Sequence, residues 1–238
     1  KWLFTMRNMQ RKYGYFMKEK SLLQLHAYDS IKNSILSGEL EPRVLYSETK
    51  LSAQIGISRT PMREALQSLS QDGYITIIPS KGFMIRQLNE KDMKDSIEIR
   101  CAIEGFCTNM IASQIYTERG RQLLKDLEAV LKNMEGVFDK EDCLEDFIDY
   151  DHQFHLLLVN YMQNDEFDHI FQRLLYLIRL TSLDALAVKG RITGTMNEHR
   201  EYLKALKAGN KAKAYEIMLH HLMMPLKMHE KNKNVLSS

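Results

Sequence analysis

From Asn89 to Ser238 the chain carries a single proline, Pro225, and strand signals disappear over the same stretch. Proline removes a backbone donor and clashes with the preceding helical turn, so a long segment nearly free of it permits helix. Apolar residues recur there at spacings of three and four, the period of an amphipathic helix. The spacing predicts about six helices, over 90–116, 119–137, 140–162, 165–187, 194–208 and 211–230. Asn89, Thr117 and Asn164 stand where N-caps are expected, and the "GN" at 209–210 separates the last two helices. The rear of the chain is therefore expected to be an all-α bundle.

One stripe in that bundle breaks the apolar rule. In "LEDFIDYDHQFHLLL" the inward face reads Leu144, Phe147, Ile148, Asp151, Phe154, His155 and Leu158, with His152 and Gln153 expected to point elsewhere. Asp151 and His155 are four apart on one face and able to share a ligand. A carboxylate buried there without a partner costs several kcal/mol or takes up a proton. The oddity repeats in Met196, His199, Leu203 and Leu206, and again in Ala214, Met218, His221 and Pro225. A lone histidine on an apolar face is more often a satisfied core residue. Three inward histidines with an aspartate make a metal constellation, and mixed imidazole and carboxylate donors suit zinc, nickel, iron or manganese. A hydrolytic centre would also need a general base such as the Glu of HExxH, and none sits beside "DYDHQFH".

The front of the chain reads differently. In "SRTPMREAL", Ser58 is placed to cap a helix and Pro61 falls in the first turn, where its missing N–H costs nothing. Arg59 and Arg63 share one face close to the N-terminal end, which already carries partial positive charge. That arrangement suits a polyanionic partner, with the Ser58 and Thr60 hydroxyls adding phosphate contacts. The alternative is a solvated face on which Arg63 pairs with Glu64 or Glu48. Upstream, "YSETKLSAQIGI" predicts a short helix capped by Ser47 and closed at Gly56, and "QLHAYDSIKNSILSGEL" a further helix closed by Gly38. Two short helices around a glycine turn are the helix-turn-helix pattern, whose second helix enters the DNA major groove. After it, "YITIIPSKGFMIRQL" predicts a β-hairpin with Lys81 and Gly82 at its tip.

Charge and thiols agree with this division. Net charge is only +2, but the first 90 residues hold 13 Lys and Arg against 8 Asp and Glu, and the remainder 20 against 23. Cys101, Cys107 and Cys143 are odd in number and lack CxxC spacing, which argues against a disulfide framework or thiolate zinc site and for the cytoplasm. No apolar run approaches the roughly 18 residues of a membrane span. Residues 1–20 are basic and aromatic without the pattern of a secretory leader, and read as an arm or upstream extension.

Residues 21–88 resemble the winged-helix domain of GntR-type bacterial transcription regulators, through "SGEL.P...YSET.LS..IGISRTPMREAL..L..DGYI...P.KGF.I". The resemblance implies DNA contacts at Ser58, Arg59, Thr60 and Arg63 and at the wing residues Lys81 and Gly82. Thr49 occupies a position where some members place a DNA-contacting arginine, so the operator sequence does not transfer. Residues from about 90 to 225 resemble the FCD-type ligand-binding domain of the FadR branch, through "IEIRCAIEGFCTNMIA", "DYDHQFHLLLVNYMQN" and "NEHREYLKALKAGNKAKAYEIMLHHL". Metal-binding members use one Asp and three His, which correspond to Asp151, His155, His199 and His221. His220 competes for the last place, but the family pattern puts Leu directly after the ligand. Arg100 matches an arginine that approaches a carboxylate effector, or else pairs with Glu104; Asn164 matches a residue that lines the pocket or caps a helix.

Together these readings imply a mainly α chain. A winged helix-turn-helix over 21–88 would be followed by an effector-binding and dimerisation domain over 89–230 and a tail over 231–238. The implied function is a homodimeric regulator on a pseudo-palindromic double-stranded DNA operator, most simply a repressor. Its effector would be a small organic acid at a divalent metal, zinc first. Alternatives are a regulator for which the metal is itself the signal and, remotely, a metal-dependent hydrolase.

Overall fold

A computed structural model describes residues 22–87, 89–138 and 143–236, apart from the side chains of 230–236. The arm expected over 1–20 lies outside the described residues. The chain divides after Gln87 into two compact units.

The front unit contains α1 (Leu22–Leu36), β1 (Leu45–Tyr46), α2 (Glu48–Ile55), α3 (Arg59–Gln71), β2 (Ile75–Ile78) and β3 (Gly82–Ile85). Helix α3 is the centre of its packing: α1, α2 and β2 all lie against it. Its buried residues, Pro61, Met62, Ala65, Leu66 and Leu69, follow the three-and-four spacing of one helical face. Helix α1 supplies Ala27, Ile31 and Ile35 to the same core. Fully burying side chains of this size stabilises by about 1.5–3 kcal/mol each. The turn between α2 and α3 is made by Gly56, whose φ of 77° lies in the left-handed region.

The wing has three strands, in the order β1-β3-β2, all antiparallel. The sequence predicted only the hairpin, because a two-residue strand carries no periodicity. Tyr46 pairs with Phe83, and their rings stack at 5.6 Å. Gly82 pairs with Ile78 and so stands at the start of β3, one residue past the expected tip. Gly82 opens β3 with φ of 132°, and a Cβ there would stand 1.9 Å from the Tyr46 carbonyl oxygen. Glycine is needed at 82 for the close approach of β1, while Lys81 stays exposed in the turn.

The rear unit is a bundle of six helices among the described residues. These are α4 (Glu90–Gln114), α5 (Glu118–Phe138), α6 (Leu144–Asn160), α7 (Asp165–Leu186), α8 (Arg191–Lys207) and α9 (Lys211–Leu236). Helix α4 packs on α6, α7 and α9, while α5 packs on α6 and α8 and α8 on α9. The buried face of α5 is regular, with Gly120, Leu123, Leu127, Val130, Leu131, Met134 and Val137. Caps fall at predicted residues: the Asn89 side chain accepts from the Asp92 N–H, and Thr117 Oγ1 accepts from the Gly120 N–H at 3.1 Å. Helix α9 runs through Pro225, one turn past His221. Proline cannot supply the N–H that would bond the carbonyl four residues before it, which here is that of His221.

Candidate metal centre and nucleic-acid interface

In the rear unit, α6, α8 and α9 bring four polar side chains to one point. One ligand atom each from Asp151, His155, His199 and His221 lies within 4.8 Å of every other. Donors about 2.1 Å from one ion stand roughly 3–4 Å apart, so the spread is that of a coordination set slightly relaxed. His155 Nε2 is 3.0 Å from His221 Nε2, and His199 Nε2 is 3.4 Å from Asp151 Oδ1. Asp151, His155 and His199 are buried, and the His221 side chain is 11% exposed. His220 faces outward, which leaves His221 as the histidine of α9 that reaches the cluster.

The opposite nitrogen of each ring is occupied. His155 Nδ1 lies against Glu104 Oε2, His221 Nδ1 is 2.7 Å from Glu198 Oε2, and His199 Nδ1 is 2.8 Å from the Thr195 carbonyl oxygen. The Thr195 carbonyl and an ionised carboxylate only accept. Burial raises the Glu104 pKa and Arg100 opposes the rise; with both glutamates ionised, each ring carries its proton on Nδ1 and turns the Nε2 lone pair inward. Lone pairs 3.0 Å apart beside a carboxylate oxygen repel. Asp151 Oδ1 and His199 Nε2 are both buried without a hydrogen-bond partner. A proton could relieve one pair of these atoms; a metal ion relieves all four. The residues therefore fit a metal ion.

The electrostatics are consistent with neutral imidazoles at His155 and His199. Burial, then the neighbouring His221, lowers the His199 pKa to about 4, and burial with Arg100 holds His155 well below its usual value. Burial raises Asp151, but His155, His199, His221 and His152 outweigh it and bring the carboxyl to about 2. His152, expected to point elsewhere, is outside the cluster, yet it is buried, 3% exposed, with Nε2 3.4 Å from Ser182 Oγ. A six-helix bundle covers α6 on more than one side, which a single apolar stripe does not reveal.

Beside the cluster is a small cavity of about 30 Å³, lined in part by Arg100, Asp151, Arg191, Thr195, His221 and Pro225. This is room for a few waters at most. Arg100 Nε bonds Glu104 Oε1 at 2.7 Å, whereas Arg100 Nη2 is buried with no partner, as is Thr195 Oγ1. Of the two roles open for Arg100 the pair with Glu104 is present, and Nη2 takes no part in it. Asn164 sits elsewhere: its Oδ1 accepts from the Glu166 and Phe167 N–H groups at 3.0 and 3.3 Å, capping α7. It is absent from the cavity lining, so of its two expected roles the cap is the one it fills.

In the front unit, Ser58, Arg59, Thr60, Arg63 and Thr49 are all exposed around the start of α3 and on α2. Ser58 holds the N-cap position but makes no side-chain capping bond, contrary to expectation. The third helical residue, one of the two whose N–H a capping serine can engage, is Pro61, which has none to offer. The Ser58 hydroxyl is left for other partners. No acidic residue lies in the first turn of α3, whereas α7 begins with Asp165, Glu166 and Asp168. Arg63 Nε pairs with Glu48 Oε1 at 2.8 Å across the turn.

Family comparisons divide the chain in the same way. The model of the bacterial regulatory proteins of the gntR family matches residues 23–85, and the FCD domain model matches 95–223, more than half of the chain. The chain belongs to the GntR family and carries an FCD domain. It is 28% identical over 198 residues to the HTH-type transcriptional regulator YdhC of Bacillus subtilis (strain 168), covering 83% of this chain and 86% of that one. It is 24% identical over 215 residues to the HTH-type transcriptional repressor GlaR of Escherichia coli (strain K12), covering 87% and 95%. The solved structure of E. coli McbR/YncC superposes with a TM-score of 0.70 at 18% identity, covering 90% and 99%, a likeness of fold alone. The relatives are transcriptional regulators, and so is this chain; it is not an enzyme. Among the described residues, no helix is long and apolar enough to cross a membrane.

Glu104 and Glu198 were not among the expected site residues. Glu104 carried a signal, since it lies with Ile97, Arg100, Ile103 and Ile111 on the buried side of α4. Glu198 carried none; beside His199 it reads as an ordinary surface acid.

Proposed function

We propose that this FadR-branch regulator represses transcription in the cytoplasm as a homodimer, and that a small organic acid bound at a metal in the rear unit controls its affinity for an operator. The front unit, 21–88, binds DNA, with Arg59 and Arg63 reaching bases and phosphates, Ser58, Thr60 and Thr49 lying alongside, and Lys81 extending from the wing. Two such units engage half-sites about one helical turn apart. The unit over 89–230 holds the metal through Asp151, His155, His199 and His221, and dimerises. Zinc is the first choice; nickel, iron or manganese suit the same donors. When bound, the metal supplies positive charge and open positions for an anion.

The observation that carries this reading is the gathering of unpartnered buried polar atoms around the ion site: Arg100 Nη2, Asp151 Oδ1 and Thr195 Oγ1 belong to residues that line the cavity, and His199 Nε2 lies 3.4 Å from Asp151 Oδ1. Charge balance adds to it. Glu104 pairs with Arg100 and Glu198 with Arg191, so with the carboxyls ionised Asp151, beside His199, leaves one negative charge in excess. A divalent cation turns the excess positive by one, and a single carboxylate restores neutrality. Arg100 can grip that carboxylate through Nη2. To alter operator affinity the acid must favour one arrangement of the bundle over another.

The small cavity volume favours a second reading, in which the metal is itself the signal. Fluorescence anisotropy on an operator selected from random DNA separates the two. Metal with an organic acid should release the DNA while metal alone leaves it bound. A full, reversible response to metal alone at physiological concentrations assigns the signal to the metal, and no response to either rejects both.

A further inference from the structure

The two carboxylates behind the histidine rings are arranged alike, although they come from different helices. On α4, Arg100 Nε donates to Glu104 Oε1 at 2.7 Å and Glu104 Oε2 meets His155 Nδ1. On α8, Arg191 Nη1 and Nη2 donate to Glu198 Oε1 and Oε2 at 2.7 and 2.8 Å, and Glu198 Oε2 is 2.7 Å from His221 Nδ1. Each is a chain of arginine, glutamate and histidine that ends at the same ion site, and both arginines line the same cavity. The third ring, His199, lacks such a chain and rests on a backbone carbonyl.

We propose that Glu104 and Glu198 are positioning residues for the metal, each locked in place by its arginine, so that the site is held by two Arg–Glu–His relays. This rests on the metal reading given above. A carboxylate at Nδ1 fixes the tautomer, sets the ring plane and makes Nε2 a better donor than a carbonyl partner does. Glutamate is held only if its own charge is met: Glu104 is fully buried, and without Arg100 its carboxylate would be strongly disfavoured. The relays also give the cavity a route to the rings. An anion at Arg100 Nη2, or at Arg191, shares the guanidinium charge that holds the glutamate, so anion and metal influence one another's affinity reciprocally.

Metal affinity, measured by competition with a chromophoric chelator, and the visible spectrum of the cobalt-loaded protein test this on the full chain. Glu198→Gln, at a partly exposed position, is the principal variant, and Glu104→Gln the second. Removing such outer partners typically lowers metal affinity 10–100-fold. We expect a zinc affinity at least about tenfold weaker and a shifted cobalt absorption band for each variant. A purely structural role would lower the thermal midpoint of the metal-free protein while leaving affinity and spectrum unchanged, and that result overturns the relays. If Glu104→Gln fails to fold, Glu198→Gln alone decides. If the unsubstituted chain binds neither zinc nor cobalt, the metal reading itself is at fault; if it binds both and Glu198→Gln matches it, the metal centre stands and the relays fall.

Discussion

Arg63 and Arg100 each meet a glutamate oxygen through Nε, at 2.8 and 2.7 Å, in very different surroundings. The Arg63 and Glu48 side chains are 65% and 24% exposed, those of Arg100 and Glu104 10% and 0%. An exposed pair contributes about 0–1 kcal/mol and exchanges partners readily. Breaking a buried one by removing a partner costs about 3–5 kcal/mol. The front unit therefore presents cations that can leave their protein partners for phosphate, whereas the rear unit commits its charges to a fixed network around one point. Surface charge reveals the sign of a partner, and buried charge reveals where the partner must sit.

The strongest way to break this contrast is at the recognition helix. Each well-placed arginine contact to a guanine edge contributes about 1–3 kcal/mol of discrimination. The Arg59→Ala, Arg63→Ala double variant should lose specific operator affinity by on the order of a hundredfold or more, with its circular dichroism unchanged. Specific binding that survives at physiological salt would show that α3 is not the reading helix.

Removing the metal should act on the rear unit alone and by a smaller amount. A ligand present at a hundred times its dissociation constant stabilises by about 2.7 kcal/mol. For a unit of this size, that corresponds to a midpoint lowered by about 5–10 °C on chelation in differential scanning calorimetry. The difference should vanish in His199→Ala. Because the imidazoles must be neutral to coordinate, metal affinity should fall as pH drops, so the chelator-sensitive shift shrinks in acid. A midpoint indifferent to chelator at every pH would leave the cluster as a polar core with no ion to hold.

What the sequence disclosed follows the same division between local and long-range causes. Helix positions and the caps Asn89, Thr117 and Asn164 are matters of spacing along one helix, and so is the inward face of Asp151 with His155, of His199 and of His221, each on its own helix; that the three faces meet is a long-range fact that no single helix encodes. Strand β1 was not, because two residues carry no period and Leu45–Tyr46 is defined only by its pairing with β3. The burial of His152 depends on which helices cover α6, and the partnership of Glu198 with His221 joins α8 to α9. Nothing in a single helix encodes either. The missing Ser58 cap was readable in part, since Pro61 stands three residues on.

The smallest expected effect tests the exposed pair directly. Glu48→Gln removes a negative charge beside the surface proposed to face DNA and releases Arg63 from a contact that contributes about a few tenths of a kcal/mol. If the pair is merely a resting contact, affinity for operator and for unrelated DNA should both rise by about threefold, because the added positive charge acts on every phosphate backbone alike. The ratio of specific to non-specific affinity would then stay within about twofold. A different outcome is equally readable: if Glu48 holds the Arg63 fork against a base edge, operator affinity falls while unrelated DNA is bound more tightly. The exposed pair would then be working as the buried Glu104 does, orienting a functional side chain, and the line drawn between the two units would run through chemistry rather than through burial.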